Sequence, residues 1–267
     1  MLLQNKNAVI YGAAGSIPAT IAQTLAKEGA TIFLTGRHND SLQKIADKIK
    51  AAGGRAFVAL VDAMNEKEVN EHIQKMTATA GTVDISFNGI GLQDTQNIPL
   101  AEMTLADFVR PIDIAMTTHF ITATAAARVM MKQQSGVILS LTATPGGIAY
   151  PKVGGFGPAC CAIEGFSRDL ASELGPYGIR VINMRSAGSP DSRPFKEALQ
   201  QDENFAGTFI NKLKGDTMLK SLPMMEDIAN VALFLSSHLA RKITGVTIDV
   251  TCGTTNGLNA MMEIPFR

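Results

Sequence analysis

Two short segments near the N-terminus carry residues suited to holding phosphate. Gly12-Ala13-Ala14-Gly15-Ser16-Ile17-Pro18 follows the apolar run Ala8-Val9-Ile10-Tyr11 and opens a helical pattern from Ile17 to Gly29. A turn of small residues between a strand and a helix aims backbone amides and the positive end of the helix dipole at one point, which suits a pyrophosphate. The spacing is not Gly-x-Gly-x-x-Gly, so the position after the first strand carries the dinucleotide reading; a plain tight turn is the alternative. The second segment is Thr35-Gly36-Arg37-His38, at the end of the next strand. A site selecting NAD would place Asp or Glu there for the ribose hydroxyls. Arg37 instead offers a guanidinium fork for a 2′-phosphate, which favours NADP over NAD unless it is a solvated charge before the Asn39/Asp40 helix cap.

The elements that must position these residues alternate from start to end. Strand-like runs at 8–11, 31–34, 56–61, 83–87, 136–141, 179–184 and 246–250 are separated by helical patterns at 17–29, 40–52, 66–80, 105–132 and 157–174. Gly53-Gly54 supplies a helix stop. Such alternation predicts an α/β fold, a doubly wound parallel seven-stranded sheet covered on both faces, in a single domain spanning 1–267. The segment from Ser186 to Leu222 is the least regular, with prolines and mixed polarity, and reads as a variable substrate loop.

Composition narrows the partners. Lys plus Arg (24) balances Asp plus Glu (24) without a long run of one sign, which favours neither nucleic acid nor an anionic membrane surface. No stretch of about 18 uninterrupted apolar residues and no basic-then-apolar N-terminus appears, so the expectation is a cytoplasmic protein that meets neither membrane nor secretion machinery. Cys160, Cys161 and Cys252 cannot all pair and show no metal-ligand spacing with the four histidines. A small-molecule ligand, a reducing compartment and no metal are the expectations.

Several separate segments resemble the short-chain dehydrogenase/reductase (SDR) family from about Ala8 to Gly257. Asp62, followed by Ala63, looks like the family's adenine-contacting Asp, and Asn88-Gly89-Ile90-Gly91 resembles its Asn-Asn-Ala-Gly element. The stretch from Ala171 to Val181 is similar to the one that follows the family's catalytic helix. The stretch from Asp227 to Ser237, with Ile243-Thr244-Gly245 and Gly253, is similar to its C-terminal signature. Ser16-Ile17, Gly89-Ile90-Gly91 and Ser186-Ala187-Gly188 look like the enoyl-acyl-carrier-protein reductase branch. The resemblance implies that Gly12, Ala14, Ser16, Ile17, Arg37, Asp62, Ala63, Asn88, Gly89 and Ile90 line a cofactor site. Ser192, where the family has a cofactor-contacting threonine, and its neighbour Ser189 would complete it. Ser16 and Pro18 replace two glycines of the family's turn, at the loss of one amide; proline is sterically acceptable in a first helical turn.

The family's proton-transfer tetrad of Asn, Ser, Tyr and Lys falls, by this resemblance, on Ala115, Ala143, Phe156 and Cys160. These residues supply no phenol, cation, hydroxyl or amide where a carbonyl's developing charge needs donors. The enoyl-reductase pattern is absent too, since its tyrosine position is Val153. Substitutes are Tyr150, which otherwise packs its loop; Thr142 and Thr144, read as structural; Cys160 and Cys161, read as small hydrophobes on a buried helix face; and His119, read as a satisfied helix histidine. Three functions stay open: an atypical NADP(H) oxidoreductase whose acceptor needs no enzymic acid, a catalytically silent dinucleotide-binding or scaffold protein, and non-redox chemistry using Tyr150 or Asp191. The family's two dimer helices match 105–132 and 157–174, whose small residues Ala123, Ala125, Ala126, Ala127, Ala162 and Gly165 would permit close approach in a homo-oligomer, a dimer or tetramer.

Overall fold

The computed structural model describes residues 1–193, 195–197 and 203–256, apart from the side chains of 203–206 and 209. Gly257, where the family resemblance ends, and positions 194 and 198–202 of the variable loop lie outside the described residues. Seven parallel strands form one sheet in the order β3-β2-β1-β4-β5-β6-β7. They are β1 (Asn7–Tyr11), β2 (Thr31–Gly36), β3 (Arg55–Leu60), β4 (Ile85–Asn88), β5 (Gly136–Ala143), β6 (Ile179–Ser186) and β7 (Thr247–Val250). The helices are α1 (Ser16–Lys27), α2 (Asn39–Ala51), α3 (Glu66–Ala80), α4 (Leu105–Gln133), α5 (Phe156–Leu174), α6 (Glu203–Gly215) and α7 (Met225–Ser236).

Alternation along each strand sorts the core into two layers. Ala8 and Ile10 of β1 pack with α1, α2 and α7 through Ile21, Leu25, Leu42, Ile45, Ala229 and Leu235. Val9 and Tyr11 point to the other face, against α3, α4 and α5 through Val69, Ile73, Ala126, Met130 and Leu170. Strand order reverses between β1 and β4, and that is where a doubly wound sheet opens its crevice.

Several boundaries differ from the sequence expectation. β4 begins at Ile85, because the two residues before it are held by side chains. The Asp84 carboxylate accepts from the Asn7 amide and from Lys6, and the Val83 amide donates to the Gln133 side chain. The segment expected to be irregular contains α6, and α7 follows it. The alanines expected to serve a subunit interface point inward: Ala123, Ala125, Ala126 and Ala127 are buried within the subunit core, while Ala162 and Gly165 are half-buried. Cys160 is buried but Cys161 is exposed, since consecutive helix residues point about 100° apart and cannot share a buried face.

A buried ion network locks the C-terminal half of the sheet. Arg185 of β6 holds Glu164 of α5 with two bonds, Nη2 to Oε2 at 2.6 Å and Nε to Oε1 at 3.0 Å, and Asp249 of β7 through Nη1 at 2.8 Å. The Thr142 hydroxyl donates to Glu164 at 3.0 Å and accepts from Asn183 at 2.7 Å; Asn183 accepts from Ser140 at 2.8 Å. Gly146 and Gly147 lie directly over the network: a Cβ on Gly146 would strike Glu164 Oε1, and one on Gly147 would lie 2.7 Å from Arg185 Nη1. Removing one partner of a buried pair leaves an uncompensated charge. Arg185→Met is therefore expected to lower unfolding free energy by about 3–5 kcal/mol, read from the denaturant midpoint. Adding Glu164→Gln to the same chain should recover much of that loss.

Candidate functional site

The turn after β1 is built by close backbone approach. Gly12 has φ +68°, and a Cβ there would lie 2.9 Å from the Gly89 carbonyl oxygen and 3.0 Å from Ile90 Cα, both in the turn after β4. Glycine is needed on both conformational and steric grounds. The Gly15 amide closes the turn onto the Gly12 carbonyl at 2.9 Å. α1 then starts with Gly15 as N-cap and no side-chain cap, so the first-turn amides of Ser16 and Ile17 have no intrahelical partner. Pro18, with no amide to leave unpaired, is buried against Gly89, whose own Cβ would meet the Pro18 ring at 2.5 Å.

Above these turns lies an open cleft of about 420 Å³. Of the residues expected in a cofactor site, Gly12, Ala14, Arg37, Asp62, Ala63, Gly89 and Ile90 line it. Five others do not. The Ser16 hydroxyl accepts the Arg193 amide at 3.1 Å, and Ile17 packs on the core. Asn88 is buried and shapes its own turn, accepting from the Ile90 amide at 3.0 Å and donating to Thr122 Oγ1 at 3.1 Å. Ser189 and Ser192 are buried within the loop after β6, joined by a bond from the Ser192 amide to the Ser189 carbonyl.

The cleft also contains residues that sequence reasoning missed. His38 and Ser41 flank Arg37, and Arg193 arrives from the loop after β6. His38 adjoins Arg37 in sequence and was within reach of the motif; Arg193 stands in a loop whose path no periodicity reveals. Tyr11 and Thr118 also line the cleft, and their hydroxyls are buried with no partner among the described residues. Burial raises the Tyr11 phenol well above its ordinary value, so it stays neutral.

The four residues that the family resemblance pointed to as tetrad positions, Ala115, Ala143, Phe156 and Cys160, are not in the lining of this cleft. Ala115 is fully buried in a cluster with Leu92, Ile114, Ala159 and Ile163, and Phe156 packs against it. Ala143 ends β5, and the Cys160 thiol lies at its backbone. Burial pushes that thiol up to about 12; a hydrogen bond at the Ala143 backbone opposes the shift and the negative charge of Glu164 adds to it. A thiol so placed is no nucleophile at neutral pH. Tyr150 is half-buried in its loop and is not part of the cleft wall. The Asp191 carboxylate accepts the Met225 amide at 3.1 Å at the start of α7, and Asp191 is not in the cleft lining. His119 is only half satisfied, which corrects the expectation. Nδ1 bonds the Ala115 carbonyl at 2.9 Å, while Nε2 is buried with no partner among the described residues, beside a small cavity that Ser86, Ser140 and Ser167 also line. Burial lowers its pKa to about 4, against the opposing Ala115 bond.

A parallel sheet with a tight glycine turn at its switch point has the architecture of dinucleotide-binding α/β proteins. A family model described as Enoyl-(Acyl carrier protein) reductase matches residues 12–255. The chain is 30% identical over 261 residues to secoisolariciresinol dehydrogenase of Forsythia intermedia, covering 94% of this chain and 89% of the relative. Among solved structures it is similar to NAD+-bound xylitol dehydrogenase, with TM-score 0.88, 23% identity and coverage of 95% of this chain and 100% of that one. It is also similar to a gluconate 5-dehydrogenase from Burkholderia cenocepacia J2315 in complex with NADP and tartrate, with TM-score 0.87, 23% identity and coverage of 96% and 97%. The chain belongs to the short-chain dehydrogenase/reductase family. Among the described residues no helix is long and apolar enough to cross a membrane, and no three His, Cys, Asp or Glu side chains converge as a metal site.

Thiol chemistry tests this arrangement directly. Iodoacetamide at mildly alkaline pH is expected to label exposed Cys161 in the folded protein and to spare Cys160, which remains protonated there. Mass spectrometry after labelling in denaturant should then show all three cysteines modified.

Proposed function

We propose that this chain is an NADP(H)-binding member of its family, at most an atypical oxidoreductase, that does not reduce carbonyls by the family's acid-catalysed route. The observation that carries the reading is a cleft with phosphate-suited turns and Arg37 on its wall, beside an apolar cluster built from Ala115 and Phe156. A dinucleotide fits these residues: the first-turn amides of α1 would face a pyrophosphate, Arg37 a 2′-phosphate, and Asp62 and Ala63 the adenine end. When bound, the nicotinamide would supply or take a hydride. A reduced carbonyl also needs a proton, and Ala115, Ala143, Phe156 and Cys160 supply no group that titrates near neutral pH. The packing of Phe156 into that cluster favours the second reading, a catalytically silent dinucleotide-binding or scaffold protein.

A second copy of the chain is the proposed partner. Phe120 of α4 is 54% exposed and tilts against Phe166 of α5 with ring centroids 6.4 Å apart, and Met116 and Ile121 complete an outward apolar hollow. That hollow, rather than the buried alanines, supports a homo-oligomer. Three free thiols support a reducing, cytoplasmic setting.

Calorimetric titration tests the cofactor reading. NADPH is expected to bind, and Arg37→Ala to weaken it by about 10–100-fold, the effect of losing a charge-assisted hydrogen bond, while NADH changes by less than about threefold. With NADPH present, a panel of ketones should show no turnover; ketone-dependent oxidation would refute the loss of the acid route.

A further inference from the structure

Away from the cleft, a small cavity of about 10 Å³ lies between β4, β5, α4 and α5, with room for a single water molecule. Its polar lining is Ser86, Asn88, His119, Thr122, Ser140 and Ser167, all of them buried. Among the described residues the lining holds no carboxylate, ammonium or guanidinium.

The hydrogens of this lining can be followed one by one. His119 Nδ1 lies 2.9 Å from the Ala115 carbonyl, and a carbonyl only accepts, so the ring hydrogen is on Nδ1 and Nε2 presents a bare lone pair. Burial pushes the pKa of the ring down to about 4, which keeps it neutral and Nε2 an acceptor at neutral pH. That atom is buried with no partner among the described residues. Ser140 gives its one hydrogen to Asn183 at 2.8 Å. The 3.2 Å bond between the Ser140 and Ser167 hydroxyls is therefore donated by Ser167, which keeps a lone pair to spare. Thr122 gives its hydrogen to the Thr118 carbonyl at 2.7 Å and accepts one of the two amide hydrogens of Asn88 at 3.1 Å. What remains is two acceptors, His119 Nε2 and Ser167 Oγ, one donor, Asn88 Nδ2, and the Ser86 hydroxyl, which can act as either.

This set selects its occupant. A cation would meet the Asn88 hydrogens and find no carboxylate, and an apolar atom would leave Nε2 unpaired. Water has two hydrogens to give and two lone pairs to offer. We infer that this cavity is the site of one ordered water molecule, which donates to His119 Nε2 and Ser167 Oγ and accepts from Asn88 Nδ2. Three bonds are the usual complement of a buried water. The water joins β4, α4 and α5 at one point. Through Asn88, whose carbonyl oxygen accepts the Ile90 amide at 3.0 Å, it also braces a turn that lines the cleft.

Two measurements on the full chain decide the matter. A high-resolution crystal structure is expected to show a density peak within hydrogen-bond distance of both His119 Nε2 and Ser167 Oγ. An empty cavity, or an imidazole turned so that both ring nitrogens bond protein groups, would overturn the inference. The second measurement is stability, where the sign of the change separates a wet cavity from a dry one. Ser86→Val puts a methyl group in the space of the water. Nε2 and the spare Asn88 hydrogen are then left unpaired, and the urea midpoint is expected to fall by about 0.5 M, the scale of one unsatisfied buried group. In a dry cavity the same methyl fills unused space, so a steady or raised midpoint counts against the water. Overpacking would also lower the midpoint, and the substitution is therefore repeated in His119→Leu, where the acceptor is gone. A clearly smaller fall there upholds the inference; an equal fall marks a steric effect and refutes it. Should either variant fail to fold, the density peak decides.

Discussion

The backbone turns that follow β1 and β4 lie against each other with no side chain between them. Gly12 sits at positive φ with its α-carbon facing the Gly89 carbonyl, and Gly89 in turn accepts the ring of Pro18. A Cβ on Gly12 would part the turns, and one on Gly89 would strike the rings of Pro18 and Phe87. Everything that lines the cleft is placed relative to that contact. Arg37 and Asp62 come from the neighbouring strand ends on one side, Ile90 from the turn itself, and Arg193 from a loop tied back to the first residue of α1. Pro18, which lacks an amide, is tolerated because it fills the contact instead.

On the other side of the crevice the protein has invested its charges in holding strands together. Glu164, Arg185 and Asp249 join α5, β6 and β7, and the chain of Thr142, Asn183 and Ser140 extends the bonding across β5. These groups are bonded to one another across β5, β6, β7 and α5. Cys160 lies one helical turn before Glu164, and the nearby carboxylate adds to the burial that keeps its thiol protonated. The polar groups at the C-terminal end of the sheet serve architecture, whereas those at its switch point face the open cleft.

Helix faces divide in the same way. α4 is 29 residues long and turns its alanines to the sheet and its neighbouring helices, which leaves Phe120 outside with Phe166. Small side chains therefore allow α4 and α5 to pack within one subunit, and the large ones form the outward surface.

Much of this fold was legible in the amino-acid order, because strands buried on both faces are apolar runs and helices covering them repeat at their own period. The phosphate-suited turn, Arg37 and the lack of acid groups at Ala115, Ala143, Phe156 and Cys160 are likewise properties of single residues or short segments. What depends on the path of the chain was not legible. The approach of Arg193 to Ser16, the use of Asp191 on the Met225 amide and the pairing of Arg185 with Glu164 each join residues separated by at least 21 positions. Local propensity is set by near neighbours, while such contacts are decided by which strand ends the completed sheet brings together. The sequence by itself thus determined the scaffold and the residue types at its turns, and only the tertiary structure decided which charges face the cleft and which are consumed in holding it.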